Sequence, residues 1–224
     1  EDSSFKNDKF DLIVSQFGFE YCDQAAVVEL AARWLKPAGE MVMLVHSETS
    51  AITLESKQIL EQMRVLEESG LVPLIYRLLE RLEKLPAAEQ QTDQENGGAS
   101  DEEAEFYRER INLTCFDLGT ISDQLLESRF LEATIALLLS LLSSKRSHMP
   151  AAIRKENLVN ISDKLQQQQA RLEQQLASAL DVQDRQSLQQ MLTAQGLSEV
   201  AFWPLKSGEE GIGHIVSARR DVDP

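Results

Sequence analysis

Two short apolar runs constrain this chain most: Phe10-Asp11-Leu12-Ile13-Val14-Ser15-Gln16-Phe17 and Met41-Val42-Met43-Leu44-Val45. Both are nearly continuous and rich in β-branched or long aliphatic side chains, the pattern of strands covered on both faces of a parallel sheet. Gly18 closes the first run. Asp23 then has the side chain to cap a helix through about Lys36, with Ala26, Val27, Leu30, Ala31, Trp34 and Leu35 on its apolar stripe. Pro37 and Gly39 stop that helix before the second run. Strand, helix and strand at this spacing make a right-handed βαβ unit, so the fold class is α/β.

From about Ser50 to Leu180 the periodicity turns helical. Ile52 to Ser69 and Leu71 to Leu85 read as amphipathic helices meeting at Gly70. Residues 87–103 are polar, acidic and Gly-containing, and read as a flexible surface loop. Ile121 to Ser144 is predicted as one strongly apolar helix, and Ala151 to Leu180, beyond Pro150, as a long Gln-rich one. Leu158, Leu165 and Leu172 recur at seven, over too few heptads to specify a coiled coil, so a partner helix in the same chain is expected.

After position 180 the α/β character returns. Asp184 to Gln195 reads as a helix closed by Gly196, and Glu199 to Trp203 as a strand. A turn over Lys206 to Gly211 leads to a last strand from Gly213 to Arg219. Adjacent strands so closely joined pair as an antiparallel hairpin. The expected division is therefore an α/β portion, 1–49 with 181–224, carrying a helical insertion at 50–180.

With 37 acidic against 22 basic residues, the net charge is -15. Nucleic acid and anionic membrane surfaces are poor partners for such a chain, because binding either relies on Lys and Arg. Ala133 to Leu142, the most apolar stretch, is too short for a membrane span. Cys22 and Cys115 fit no disulfide framework or zinc spacing and read as reduced thiols of a cytoplasmic protein.

The first fifteen residues, from Glu1 to the Phe10-Asp11-Leu12-Ile13-Val14-Ser15 strand, are similar to a stretch of the class I S-adenosylmethionine-dependent methyltransferases. Trp34-Leu35-Lys36-Pro37-Ala38-Gly39-Glu40 resembles that family's L-K-P-G-G turn, with Ala38 in place of its first glycine. The resemblance implies the C-terminal half of a Rossmann-like methyltransferase sheet that ends in an antiparallel hairpin. It also places the glycine-rich cofactor loop and the acidic ribose ligand ahead of Glu1. The first strand looks central and needs a neighbour on each side. The missing half is therefore expected from another segment or another molecule.

Ligands of open α/β sheets lie beyond the carboxyl ends of the parallel strands. By resemblance, Ser15 and Gln16 approach the methionine part of S-adenosylmethionine and Phe17 packs beside its sulfonium. Phe19, Glu20 and Tyr21 are expected to face the methyl acceptor, a small molecule or a protein. His46 and Glu48 leave the second strand, and His46 is the candidate general base. An amine or carboxylate acceptor needs only proximity and in-line geometry. His214 begins the last strand and is expected away from this pocket. No metal-ligand spacing is present. The helical insertion is expected either to close a partly hydrophobic acceptor pocket or to form a homodimer interface. The rival reading is a non-catalytic helical interaction protein that keeps a degenerate half-fold as its platform.

Overall fold

The computed structural model describes residues 5–85, 101–143 and 149–222. It is a mixed α/β structure with seven α-helices among the described residues and one four-stranded sheet. The elements in chain order are β1 (Phe10–Gln16), α1 (Gln24–Trp34), β2 (Leu35–Val45), α2 (Ala51–Ser69), α3 (Leu71–Lys84), α4 (Glu102–Ser122), α5 (Arg129–Ser140), α6 (Ala151–Ser178), α7 (Val182–Ala194), β3 (Leu197–Ser207) and β4 (Glu210–Arg220). Among the described residues no helix is long and apolar enough to cross a membrane. Two compact units form, Glu1–Lys57 with Glu173–Pro224 and Gln58–Leu172, so the boundaries fall inside α2 and α6.

In the first unit the strand order is β1-β2-β4-β3. β1 and β2 run parallel, with Leu12 opposite Glu40 and Gln16 opposite Leu44. β4 lies antiparallel to β2, from Glu40 opposite Arg219 to Val45 opposite His214. β3 and β4 form the expected antiparallel hairpin, turning at Gly208, whose φ of 62° suits glycine. Side chains alternate across the sheet. One face sends Met41, Met43, Val45, Val216 and Ala218 into a core with Val28 and Ala31 of α1 and Leu188 and Leu192 of α7. Asp181 caps α7 through a reciprocal capping box with Asp184.

Three sequence expectations are corrected in this unit. β1 pairs with β2 alone among the described residues, the one neighbour expected from this chain, but it was expected to be covered on both faces, and Leu12 and Val14 are 52% and 64% exposed. The second strand was expected at Met41 but begins at Leu35, directly after α1. Its register with β1 jumps from Phe10 opposite Leu35 to Leu12 opposite Glu40, so Lys36 to Gly39 bulge out of the ladder. The buried residues of α1 are Val28, Ala31 and Ala32; the expected stripe left out Val28 and Ala32, and its Ala26 is exposed.

The second unit is helical. Gly70, in the left-handed region at φ 70°, separates α2 from α3 as expected. Leu66, Leu71, Ile75, Leu79, Ile111 and Leu118 belong to a core that also takes Leu131 and Leu138 of α5 and Leu158 of α6. Ile161 and Leu165 pack at its margin, so the heptad leucines begin by joining a core within the chain. Buried Gln62 accepts a hydrogen bond from the Leu131 backbone at 2.9 Å, satisfying a free N–H in the first turn of α5.

Two further expectations change here. The helix predicted over 121–144 is split, with α4 ending at Ser122 and α5 starting at Arg129. Ser122 and Ser128 both donate to Glu132 Oε1, at 3.1 and 2.5 Å, which holds the intervening turn. The acidic loop was expected through residue 103, but Asp101 caps α4 and Glu102 and Glu103 form its first turn. The rest of that loop and His148 lie outside the described residues.

Candidate functional site

β1 and β2 are parallel and in register at their ends, so their carboxyl termini open on one rim. Phe17 follows β1 with a left-handed backbone, φ 49°, while its N–H donates to the Leu44 carbonyl at 2.7 Å. A side chain in that region is strained and is kept there by its surroundings. The chain then passes Gly18 into a single 3-10 turn, Phe19–Tyr21, tied by Tyr21 N–H to the Gly18 carbonyl and Cys22 N–H to the Phe19 carbonyl. Asp23 accepts from Ala26 N–H at 3.1 Å and starts α1.

That turn aims Glu20 at the end of β2. One carboxylate oxygen, Glu20 Oε1, accepts the His46 backbone N–H at 3.0 Å and lies 2.7 Å from His46 Nδ1. Both side chains are buried, Glu20 at 0% and His46 at 8% exposed. Burial would push the Glu20 carboxyl up. Hydrogen bonds from the His46 ring and the backbone, with attraction to His46, outweigh it and hold the carboxyl below its ordinary value. A carboxylate at Nδ1 fixes the tautomer with hydrogen on Nδ1, which leaves Nε2 as the basic nitrogen. The second oxygen, Glu20 Oε2, is buried without a partner among the described residues.

Aromatic rings flank the imidazole. The Phe17 ring centroid is 4.3 Å from that of His46 at 37°, and Tyr21 stands edge-on at 6.2 Å. The residues just past β2 are held by the segment before α7: Leu180 N–H donates to the His46 carbonyl at 2.9 Å, and Glu48 N–H to the Leu180 carbonyl at 3.3 Å. Thr53 Oγ1 donates to the Ser47 carbonyl at 2.7 Å, and its hydroxyl meets that of Ser50 at 3.0 Å.

The structure therefore brings Phe17, Glu20, Tyr21 and His46 together. Ser15 and Gln16 end β1 at the same rim, half-buried and exposed respectively. Of the three residues expected to face an acceptor, Tyr21 is exposed, Phe19 packs in the core at 2%, and Glu20 is committed to His46. Glu48 is exposed. His214 is not remote as expected. β4 is antiparallel to β2, so it begins where β2 ends, and His214 sits opposite Val45. A guanidinium only donates, so the 3.2 Å contact from Arg185 Nη1 makes His214 Nε2 the acceptor. Burial, with the Arg185 charge, lowers the His214 pKa.

The sequence shows the last two strands as a hairpin, whereas the placement of β4 beside β2, which brings His214 to the rim, appears only in the sheet order. The Ser47, Ser50 and Thr53 cluster carries no sequence signal apart from a run of hydroxyls before a helix. Comparison with protein-family models, curated proteins and solved structures gives no match.

Proposed function

We propose that this chain carries part of an S-adenosylmethionine-dependent methyltransferase site at the carboxyl ends of β1 and β2. The observation that carries the reading is the strand order β1-β2-β4-β3, two parallel strands followed by an antiparallel hairpin whose last strand inserts beside β2. Such a sheet end suits methyltransferases better than dehydrogenases, and it accompanies the two sequence stretches that resemble the family.

The rim fits the methionine end of the cofactor: an aromatic ring, Phe17, is fixed beside the candidate base, with the hydroxyl of Ser15 and the amide of Gln16 leading up to it. An aromatic face attracts a cation such as a sulfonium. When bound, S-adenosylmethionine supplies the methyl group as an electrophile. His46 Nε2 takes the proton that an acceptor hydroxyl or amine loses as its lone pair forms the new bond. Glu20 keeps the imidazole in the tautomer that leaves Nε2 free. Tyr21, exposed beside His46, contacts the acceptor.

Calorimetric titration of S-adenosylhomocysteine into the longest natural form of the protein tests the reading. Micromolar binding that weakens on Phe17→Ala supports it. Absence of heat in that form rejects the enzyme and leaves the helical interaction reading.

A further inference from the structure

The helical unit has a cavity of its own. It measures about 210 Å³ and is walled by Leu78 and Leu82 of α3, Ile111 of α4, and Leu139 and Leu142 at the end of α5. Arg154, in the first turn of α6, completes the lining and is only 2% exposed. Its one hydrogen bond among the described residues is long, Nη1 to the Leu141 carbonyl at 3.4 Å. Among the described residues its Nε is buried with no partner and no carboxylate pairs with its guanidinium.

A buried charge without a counter-charge is strongly unfavourable, and proteins rarely leave one so. Burial lowers the Arg154 pKa, yet a guanidinium keeps its proton in proteins. The surroundings increase the positive potential. α6 starts at this point, its N-terminal end is the positive pole of its dipole, and its first turn holds no acidic residue. Asn112 of α4 lines the same cavity, as does Arg108, whose charge is already paired with Glu105 at 3.2 Å. The lining thus combines a desolvated fork of donors with aliphatic walls.

We propose that this cavity binds a short-chain aliphatic carboxylate, its head on Arg154 and its chain among the leucines. The planar guanidinium matches a carboxylate with two parallel hydrogen bonds, which a spherical anion does not use. The volume lies below the roughly 300–1,000 Å³ of pockets for drug-sized ligands, so the chain is short. None of its lining residues belongs to the rim at Glu20 and His46.

The test is calorimetry and thermal denaturation of the full chain with hexanoate, beside hexanol and inorganic phosphate, which carry only the apolar or only the anionic part. Hexanoate is expected to bind one to one with a Kd of about 1 mM or tighter and to raise Tm, the two controls binding at least about ten-fold more weakly. Arg154→Met keeps the bulk and removes the donors, and should abolish the response. Leu139→Phe narrows the cavity with the charge intact and should weaken binding too, which keeps the test decisive if the first variant does not fold. No response from the unaltered chain, an undiminished response in either folded variant, or equal binding of either control overturns the proposal.

Discussion

Glu20 Oε1 holds His46 twice, through the ring at Nδ1 (2.7 Å) and through the backbone N–H (3.0 Å). Residues from a 3-10 turn and a strand end are thereby locked into one unit. Glu20→Gln keeps the shape, but a neutral amide oxygen replaces the charged acceptor. A hydrogen bond to a charged group contributes about 1.5–3 kcal/mol, so the variant should lose stability on that order at neutral pH, read from the urea midpoint. An unchanged midpoint would mean the pair is not formed in solution.

The same pair sets an acid limit. The folded pKa of Glu20 is depressed from its ordinary 4.5, so the ionised carboxylate stabilises the fold fully above that value. This contribution is lost as pH falls from about 4.5 through the lower folded value. Glu20→Gln should therefore show a shallower loss of stability below pH 4.5 than the unaltered chain. Parallel curves from pH 6 to 3 would contradict the depressed pKa.

Asp101 makes a similar prediction in the helical unit. Its carboxylate accepts two hydrogen bonds from Arg81, at 2.9 and 2.5 Å, and one from the Ala104 N–H at 2.9 Å. These bring its pKa down to about 2, the Arg81 bond contributing most. Asp101→Asn keeps a capping side chain and removes the charge, whereas Asp101→Ala removes both. Tm should fall for both variants and further for Asp101→Ala. Equal Tm values for the two would show that the cap contributes nothing beyond the ion pair.

Much of the fold was legible because local signals agree with the tertiary result. Gly70 breaks α2 from α3 where only a left-handed residue fits, Asp23 caps α1, and the hairpin turns at Gly208. α4 escaped because its pattern is blurred: Ile111 and Leu118 are buried, but Phe106, Leu113 and Phe116 are exposed on the same helix. The break between α4 and α5 has no glycine or proline to announce it, and depends on Glu132 gathering two serine hydroxyls. At the rim, His46 and Phe17 stood out as residues, but the Glu20–His46 pair spans 26 positions and exists only through the parallel register of β1 and β2. The buried Arg154 was invisible, since a lone arginine on a polar helix looks solvated.

Ala38 occupies a left-handed conformation, φ 62°, inside the bulge of β2. This is the position at which the resembling turn carries glycine. An L side chain pays roughly 1–2 kcal/mol there, against about 0.5–1 kcal/mol of extra chain entropy lost by glycine on folding. Ala38→Gly should raise stability by about 0.5–1 kcal/mol, a rare glycine substitution inside a strand that stabilises. A lower urea midpoint would show that the bulge is not adopted.

Gly213 makes the opposite case. A Cβ built on it would lie 2.4 Å from the Val45 carbonyl oxygen and 3.5 Å from Phe17 Cε1. Backbone cannot yield as a flexible side chain does, so Gly213→Ala must push β4 away from the end of β2. Overpacking of this kind costs about 1–3 kcal/mol. The displacement falls next to Val45 and His214, whose pairing brings β4 to the rim. Gly213→Ala is therefore expected to lower the midpoint and to shift the ring resonances of Phe17 and His46 in NMR spectra. A loss of stability without those shifts would mean that the strain is absorbed in the hairpin and that the rim does not depend on the close approach of β4.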